Sequence, residues 1–562
     1  MERAPRRWDL PDPSLVAAAE PLLRRVLRAR GISDLDFATR DDHVDHDPRL
    51  LTDMDRAVEL VADALHQGTG IAVYGDYDAD GVTASALLVR AFRAIGVEIL
   101  AHIPNRESEG YGLNLQALEE LAARGAGLVI TVDCGTTALE VAAARPAGMR
   151  LLITDHHLPH ALPGGQGFEL APADALVNPQ RPGDGYPFKG LAGVGVAYKL
   201  VQALEAARLM PSGTSAQQLP LVALGTVADM MPLLGENRGL VRQGLERWVE
   251  AAPLGLLALA RGAGIEGSPG GSDLGFSLGP RINAAGRMED AKLALDCCLV
   301  TSPAEAARAA AGLEGLNKSR RRSLADALER ARPMVERLPN EVAAIVVGDE
   351  AFPAGVVGLV AGRLAEEFQR PSFVFTRSGE EWRGSARGAP GLNIVEALAD
   401  CSHTLLRYGG HRGAGGFSVR PDAAAAFEAA VVAAVSRQLG SREPCRVFRV
   451  DAVTQLAECN LRLADELAGL GPFGSSNPSV LLGATGCRVV STDPFGKGGD
   501  HLRVSLEDGT ATAEAIAFNR PQLRRHLPLG RRVDVLFELE ADRWRGRERA
   551  RLLLRDIRPV RL

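Results

Sequence analysis

The chain has 562 residues, too many for one hydrophobic core, so several domains are expected. Its 46% hydrophobic and 24% charged residues are ordinary globular proportions and exclude a wholly disordered chain. The net charge is −6, which gives no general attraction to nucleic acid, and no apolar run approaches the roughly 18 to 20 residues of a membrane helix.

Met1 to Leu10, MERAPRRWDL, has two acidic residues and no apolar core, so a secretory signal is not expected. Seven cysteines, an odd number with no C-x-x-C pair, argue against a disulfide framework or a zinc ribbon and fit a reducing cytoplasm. Residues 1–49 look like a helical lead-in. From Gly70 short apolar strands alternate with Ala/Leu-rich helices. Ile71–Tyr74, Leu128–Val132, Leu151–Thr154 and Ala175–Val177 are strands without polar alternation, the pattern of a parallel sheet covered on both faces. Val82–Ile95 and Leu115–Ala123 are the crossover helices, and Leu191–Leu209 and Gln217–Ala228 are further helices. This α/β unit is expected over residues 50–300.

Ser302-Pro303-Ala304-Glu305 is a helix start, and the pattern continues to Leu338 with a kink expected at Pro333. Residues 301–338 thus predict a connector helix on the order of 50 Å long. Its Lys318, Arg320, Arg321 and Arg322 form a basic cluster that suits a solvated face or a polyanion. A smaller α/β unit is expected over 339–440, with strands Val342–Val347 and Ser372–Thr376, helices Val356–Phe368 and Asp422–Leu439, and a glycine-dense segment Tyr408–Gly416. The last part, 441–562, alternates at Arg532–Leu539 and Glu548–Ile557, with turns around Asp493–Asp500. From Ser441 it carries 20 Lys and Arg against 16 Asp and Glu, a net +4 against −10 for the rest. Short strands in a mildly basic segment suggest an OB-fold β-barrel.

The chemistry lies just after the apolar strands. They end in Gly75-Asp76-Tyr77-Asp78-Ala79-Asp80-Gly81, in Asp133-Cys134-Gly135 and in Asp155-His156-His157. In an open parallel sheet these loops converge on one crevice. So many carboxylates in one place would repel one another, a conflict that divalent cations remove. Asp, His and water are ligands for Mn²⁺, Mg²⁺ or Zn²⁺, and the absence of nearby cysteine ligands disfavours structural zinc. Two ions roughly 3.5 to 4 Å apart, bridged by one carboxylate, suit phosphodiester hydrolysis. Taken singly, D-x-D-x-D is as readily a calcium loop, Asp-Cys-Gly a turn, and His-His a surface pair. Their combination at three strand ends points to catalysis.

These three motifs, with Ala228-Asp229-Met230-Met231-Pro232, resemble the four motifs of the DHH phosphoesterase superfamily. Gly409-Gly410-His411 followed by Ala414-Gly415-Gly416 resembles its DHH-associated domain. Leu278-Gly279-Pro280-Arg281-Ile282-Asn283-Ala284-Ala285-Gly286-Arg287 and Gly471-Pro472-Phe473-Gly474 are similar to the RecJ family of single-stranded-DNA exonucleases. The resemblance implies a doubly wound parallel-sheet DHH domain, a long connector helix, a smaller α/β DHH-associated domain and a C-terminal OB-fold β-barrel. It implies Asp78 and Asp133, with Asp76, at a first Mn²⁺ or Mg²⁺ ion, and Asp80, Asp133, His156 and Asp229 at a second. His157 would face the scissile phosphate and Asp155 would orient the histidines. Where pyrophosphatase-like relatives have a histidine ligand this chain has Tyr74 and Gly75, which implies a weak first ion.

Arg106, Arg281 and the Ser385/Arg387 pair resemble a pocket for the 5′-phosphate, which would fix 5′→3′ polarity, and His411 would reach the substrate from the other domain. Each is, without the family, an ordinary surface residue. A cleft between two α/β domains would admit one strand and exclude a duplex. The barrel would hold the trailing strand, with Phe473, Phe495, Phe518 and Trp544 as stacking or core residues. The implied activity is metal-dependent 5′→3′ hydrolysis of single-stranded DNA to 5′-mononucleotides in recombination and repair. A single-strand-binding protein and a helicase are the partners expected from that setting. Two alternatives differ in class. A small-substrate DHH phosphoesterase should need neither barrel nor long helix, and a scaffold on a dead DHH fold, like the relative in the eukaryotic replicative helicase, should lack the metal carboxylates.

Overall fold

The chain is described by a computed structural model covering residues 6–11, 20–32, 44–106, 108–110, 112–162, 167–339, 341–440, 445–544 and 547–560. It divides into two compact units: Leu10–Glu314 with Arg449–Leu562, and Met1–Asp9 with Gly315–Phe448. The lead-in, expected to be helical, contains a strand, β1 (Arg6–Asp9), as well as a helix, α1 (Leu22–Ala29). Residues 12–19 and 33–43, also in that expectation, lie outside the described residues.

In the larger unit, α2 (Met54–Gln67) buries Ala57, Leu60, Val61 and Ala64 at helical spacing. There follow β2 (Gly70–Tyr74), α3 (Ala79–Arg93), β3 (Leu100–His102), α4 (Leu115–Ala123), β4 (Ala126–Val132), β5 (Arg150–Thr154) and β6 (Ala175–Val177). They form a five-stranded sheet, ordered β3-β2-β4-β5-β6, in which every neighbouring pair is parallel. Both faces are covered, which is why the strands carry no polar alternation. Tyr74, Val129, Leu151 and Ile153 on one face pack with Leu118 and Leu121 of α4. On the other side lie α3, α5 (Gly193–Ala206) and α6 (Leu219–Ala228), which pack on one another. All residues of α6 from Leu219 to Thr226 are buried, so it is a core helix without a polar face. From β2 the chain goes to the sheet edge at β3 and returns to β4 on the other side of β2. That reversal opens a crevice at the carboxyl ends of β2 and β4.

Helix α7 (Gly279–Met288) leads towards α8 (Pro303–Glu336), a 34-residue helix about 50 Å long, with Pro333 inside it. The smaller unit holds β7 (Ile345–Gly348), α9 (Val357–Phe368), β8 (Ser372–Ser378), β9 (Glu381–Arg387), β10 (Leu405–His411), β11 (Ala414–Val419) and α10 (Ala424–Leu439). Its sheet is ordered β10-β11-β9-β8-β7. The glycine-dense segment is the β10–β11 hairpin, in which Gly409 faces Gly416 and Gly410 faces Gly415. Beyond it, β12 (Arg446–Arg449) pairs with β1.

The C-terminal strands β13 (Leu482–Phe495), β14 (His501–Glu507), β15 (Thr512–Ala517), β16 (Arg532–Trp544) and β17 (Arg547–Pro559) run in the order β13-β14-β15-β17-β16. Pairing of β16 back onto β13 closes the barrel. The turn expected at Asp493–Asp500 begins later, because β13 pairs with β14 through Phe495. Leu22, Leu23, Val26 and Leu27 of α1 are buried in this barrel's core, although more than 400 residues of chain separate them from it. No described helix is long and apolar enough to cross a membrane.

Candidate metal centre

The loop after β2 is tight because Gly81 lies against its start: a Cβ there would come 2.5 Å from the Asp76 backbone N and O. Asp78 is the N-cap of α3, its Oδ1 accepting from Asp80 N–H at 2.8 Å and Gly81 N–H at 3.2 Å. Asp80, on the first turn, is fully buried and accepts from Gly193 N–H at 2.7 Å and Val194 N–H at 2.8 Å. The positive end of α5 thus holds one carboxylate of the site.

After β4, Asp133 takes a left-handed backbone, φ 62°, in which a non-glycine residue is strained. Its N–H bonds Thr154 O at 3.1 Å, while Thr131 Oγ1 donates to Cys134 O at 2.7 Å, so both sides of the turn are tied down. After β5, Asp155 Oδ1 accepts from His156 N–H (2.7 Å) and lies 2.8 Å from His157 Nδ1. Asp155 Oδ2 accepts from Thr136 N–H at 2.9 Å. After α6, Asp229 is followed by Met230 in a left-handed turn, φ 59°.

These four loops converge. His156 Nε2 lies 3.0 Å from Asp133 Oδ1, 3.7 Å from Asp229 Oδ2 and 3.8 Å from Asp80 Oδ2. His157 Nδ1 lies 3.9 Å from Asp133 Oδ1. Among the described residues, potential ligand atoms within 4.8 Å of one another fall into three sets: Asp76, Asp78 and Asp133; Asp80, His156 and Asp229; Asp133, His156 and His157. Asp76 Oδ1 and Asp133 Oδ1 are buried with no hydrogen-bond partner, and the short approach of His156 to Asp133 lacks hydrogen-bond geometry. Oxygens aimed at a common point and left unsatisfied fit a divalent cation with O/N ligands.

The electrostatics agree. Burial, then repulsion from Asp78, pushes Asp80 up to about 7. Burial, then Asp80 and Asp78, pushes Asp229 up to about 9. Asp76 and Asp133 are raised well above the carboxylate range, by burial first and by neighbouring aspartates second. Burial also acts on Asp155, but its contacts with His157 outweigh it and hold the carboxyl well below the usual range. Reciprocally, burial disfavours the His157 cation, and Asp155 more than offsets this, raising the ring to about 9. The site is divided: one carboxylate ionised on a histidine, four that resist ionising without a cation.

Beside the cluster, Arg106 Cζ sits 5.4 Å from the Tyr77 ring centroid, and its charge is felt at Asp76. Arg281 is buried, with Nε 2.6 Å from Glu314 Oε2 and Nη1 donating to Ser277 O at 2.7 Å. Ser385, Arg387 and His411 belong to the smaller unit. Arg387 Nη1 donates to Ser385 Oγ at 3.0 Å beside the first turn of α9, where a Cβ on Gly358 would lie 3.0 Å from both side chains. His411 ends β10 and is exposed. Tyr74 is buried, its hydroxyl donating to Gly112 O at 2.9 Å, which makes it no ligand of the cluster.

Several contributors carry no motif signature. Asn283 Oδ1 accepts from Ala79 N–H at 2.8 Å at the head of α3. Asn178 Nδ2 donates to Thr136 Oγ1 at 2.9 Å and to His157 O at 2.8 Å, bracing the histidine loop. Gly193 could have been suspected, since glycine at the head of a helix-forming run has no use there but close approach.

Three family models match: the DHH family, N-terminal domain over residues 70–226, the DHHA1 domain over 340–437 and the RecJ OB domain over 450–556. The single-stranded-DNA-specific exonuclease RecJ of Escherichia coli K12 is 33% identical across 97% of this chain and 97% of that protein. The chain belongs to the RecJ family. The RecJ of Bacillus subtilis 168, also named a single-stranded-DNA-specific exonuclease, is 32% identical over 98% of this chain and 70% of its own length. A crystal structure of RecJ from Thermus thermophilus in complex with Mn²⁺ superposes with a TM-score of 0.82 at 30% identity, over 100% of this chain and 80% of that one. A Mg²⁺ complex of the same RecJ superposes at 0.77, with 29% identity over 100% of this chain and 79% of that one.

Proposed function

We propose that the chain is a metal-dependent exonuclease that degrades single-stranded DNA from the 5′ end to 5′-mononucleotides. Its working ions would be Mn²⁺ or Mg²⁺; Asp76, Asp78 and Asp133 would hold one, and Asp80, Asp133, His156 and Asp229 would hold the other. The observation that carries this reading is Asp133, which belongs to a first-ion set with Asp76 and Asp78 and lies within 3.0 Å of His156 in the second. When bound, the cations supply activation of water and charge for the phosphoryl oxygens.

The chain's own groups do the rest. Asp155 fixes the His157 ring through its 2.8 Å contact at Nδ1, which orients it for the negative scissile phosphate. Arg106 is assigned to the 5′ terminus, which carries one more charge than an internal phosphate, and Ser385, Arg387 and His411 are assigned to substrate contacts of the smaller unit. Arg281 contributes by holding Glu314, about a third of the way along the connector helix, as well as by its charge. We assign catalysis to residues 50–300, further substrate contacts to 339–440, and retention of the trailing strand to the barrel in 441–562. The setting is DNA recombination and repair in the cytoplasm, with a single-strand-binding protein and a helicase as partners.

Digestion of one oligonucleotide labelled at either end, with Mn²⁺, with Mg²⁺ and with chelator, tests the reading. Immediate release of the 5′ label, dependent on metal, is expected; early release of the 3′ label or activity in chelator would overturn it.

A further inference from the structure

The loop that carries Arg106 is built around a carboxylate that no catalytic step uses. Glu109 Oε2 lies 2.9 Å from His102 Nε2, at the end of β3, and Glu109 Oε1 accepts from Asn105 N–H at 2.8 Å. Glu109 N–H in turn donates to Asn105 O at 2.9 Å, and Ser108 N–H to Asn105 Oδ1 at 3.2 Å. One side chain therefore ties His102 and Asn105, before Arg106, to Glu109, after it. The base of that loop rests on Tyr74, whose ring lies 5.0 Å from that of His102 and whose hydroxyl holds Gly112 O. The guanidinium lies over the ring of Tyr77, the residue between Asp76 and Asp78 in sequence.

We infer that Glu109 is a positioning residue for Arg106, setting the arginine against the terminal phosphate of the bound strand. The inference rests on the proposed role of Arg106 and extends it to the groups behind it. An arginine on a free loop would spread over many rotamers, and its bidentate grip would be lost to ordering entropy. A carboxylate bound to a strand-end histidine and a backbone N–H removes that freedom before substrate arrives. Tyr74, in place of a ligand histidine, serves the same end, because its phenol fixes the chain that follows the loop.

The test compares kcat/KM for one oligonucleotide bearing a 5′-phosphate with the same strand bearing a 5′-hydroxyl, in R106A, E109A, E109Q and the E109A/R106A double variant. If Glu109 acts through Arg106, E109A lowers the preference for the phosphorylated strand on the order of tenfold, as R106A does. The double variant then shows no further fall, and E109Q, which keeps an oxygen for Asn105 N–H, retains part of the preference. If R106A loses the preference while E109A keeps it, the positioning role is wrong and the Arg106 reading stands. If R106A keeps the preference, the Arg106 reading fails and the inference with it. Equal losses on both strands in E109A, additive with R106A, would mean general loosening and would also overturn it.

Discussion

Gly193 and Asp133 pack backbone to side chain so closely that a Cβ on Gly193 would lie 2.5 Å from the Asp133 Cβ. The same residue gives its N–H to Asp80. One glycine therefore sets the distance between a helix start and two carboxylates of the cluster. Gly193→Ala should cost about 1 to 3 kcal/mol of stability by overpacking. It should also lower metal-dependent nuclease activity by about a hundredfold through misplacement of Asp133. Mn²⁺ calorimetry beside a rate assay checks it; a variant with unchanged Mn²⁺ affinity and rate would refute the packing argument.

Asp133→Ala should abolish nuclease activity and leave affinity for a long single strand largely intact, because the barrel lies elsewhere in the chain. Fluorescence anisotropy and a digestion assay on the same preparation separate the two. A variant that still degrades DNA contradicts the shared-ligand role.

The pH dependence of the metal-free protein follows from the carboxylates. An unfolded aspartate titrates near 3.8, whereas folded Asp80 and Asp229 hold their protons to about 7 and about 9. Their stabilisation is complete below 3.8 and is lost as pH rises through the folded values. His157, raised to about 9 from 6.5, acts in the same direction at higher pH. Without metal, Tm should fall from pH 5 to pH 9. The Tm gain on adding Mn²⁺ should grow over the same range, because the ion displaces protons. A metal-induced gain that is flat with pH would contradict the assignment.

Much of the site was legible because strand ends in a parallel sheet must converge, so apolar runs ending in Asp-x-Asp-x-Asp, Asp-Cys-Gly and Asp-His-His carried geometry as well as chemistry. The hidden parts depend on contacts between distant positions. Asn178 and Asn283 look like loop and helix asparagines until their partners are known. Arg281 has the sequence context of a phosphate ligand, yet Glu314, 33 residues on, occupies its Nε. Phe473, a stacking candidate, packs against the barrel core instead. The side chain of Trp544 lies outside the described residues. Nothing local to Leu22–Ala29 announces that this helix completes a barrel at the other end of the chain.

That long-range contact makes its own prediction. Leu27→Ala should destabilise the barrel by about 2 to 4 kcal/mol, since Leu27 is buried in its core. Strand binding should weaken on warming before Mn²⁺ binding does. Thermal melts followed by DNA anisotropy and by Mn²⁺ titration check the order; loss of metal binding first would contradict it.

On the barrel, Phe495, His501 and Phe518 form an aromatic group, with ring centroids 5.2 Å apart for Phe495–His501 and 5.1 Å for His501–Phe518. Phe518 is exposed, and Arg503 lies over Phe495. Phe518→Ala should weaken binding of a long strand by about 1 to 3 kcal/mol, the worth of one stacked base, while leaving the salt slope unchanged. Removal of the chain after Ser441 should weaken binding more and alter that slope. Affinities measured at several salt concentrations distinguish base stacking from phosphate contact; an unchanged affinity in Phe518→Ala removes it from the interface.

Asp133 belongs both to the ligand set with Asp76 and Asp78 and to the set with His156 and His157, so it is the residue that would serve two cations. Anomalous scattering from a manganese-soaked crystal tests it most directly. Two peaks are expected, one contacting Asp76, Asp78 and Asp133 and the other contacting Asp80, Asp133, His156 and Asp229. A crevice with no peak, or with a single peak that Asp133 does not touch, would contradict the account.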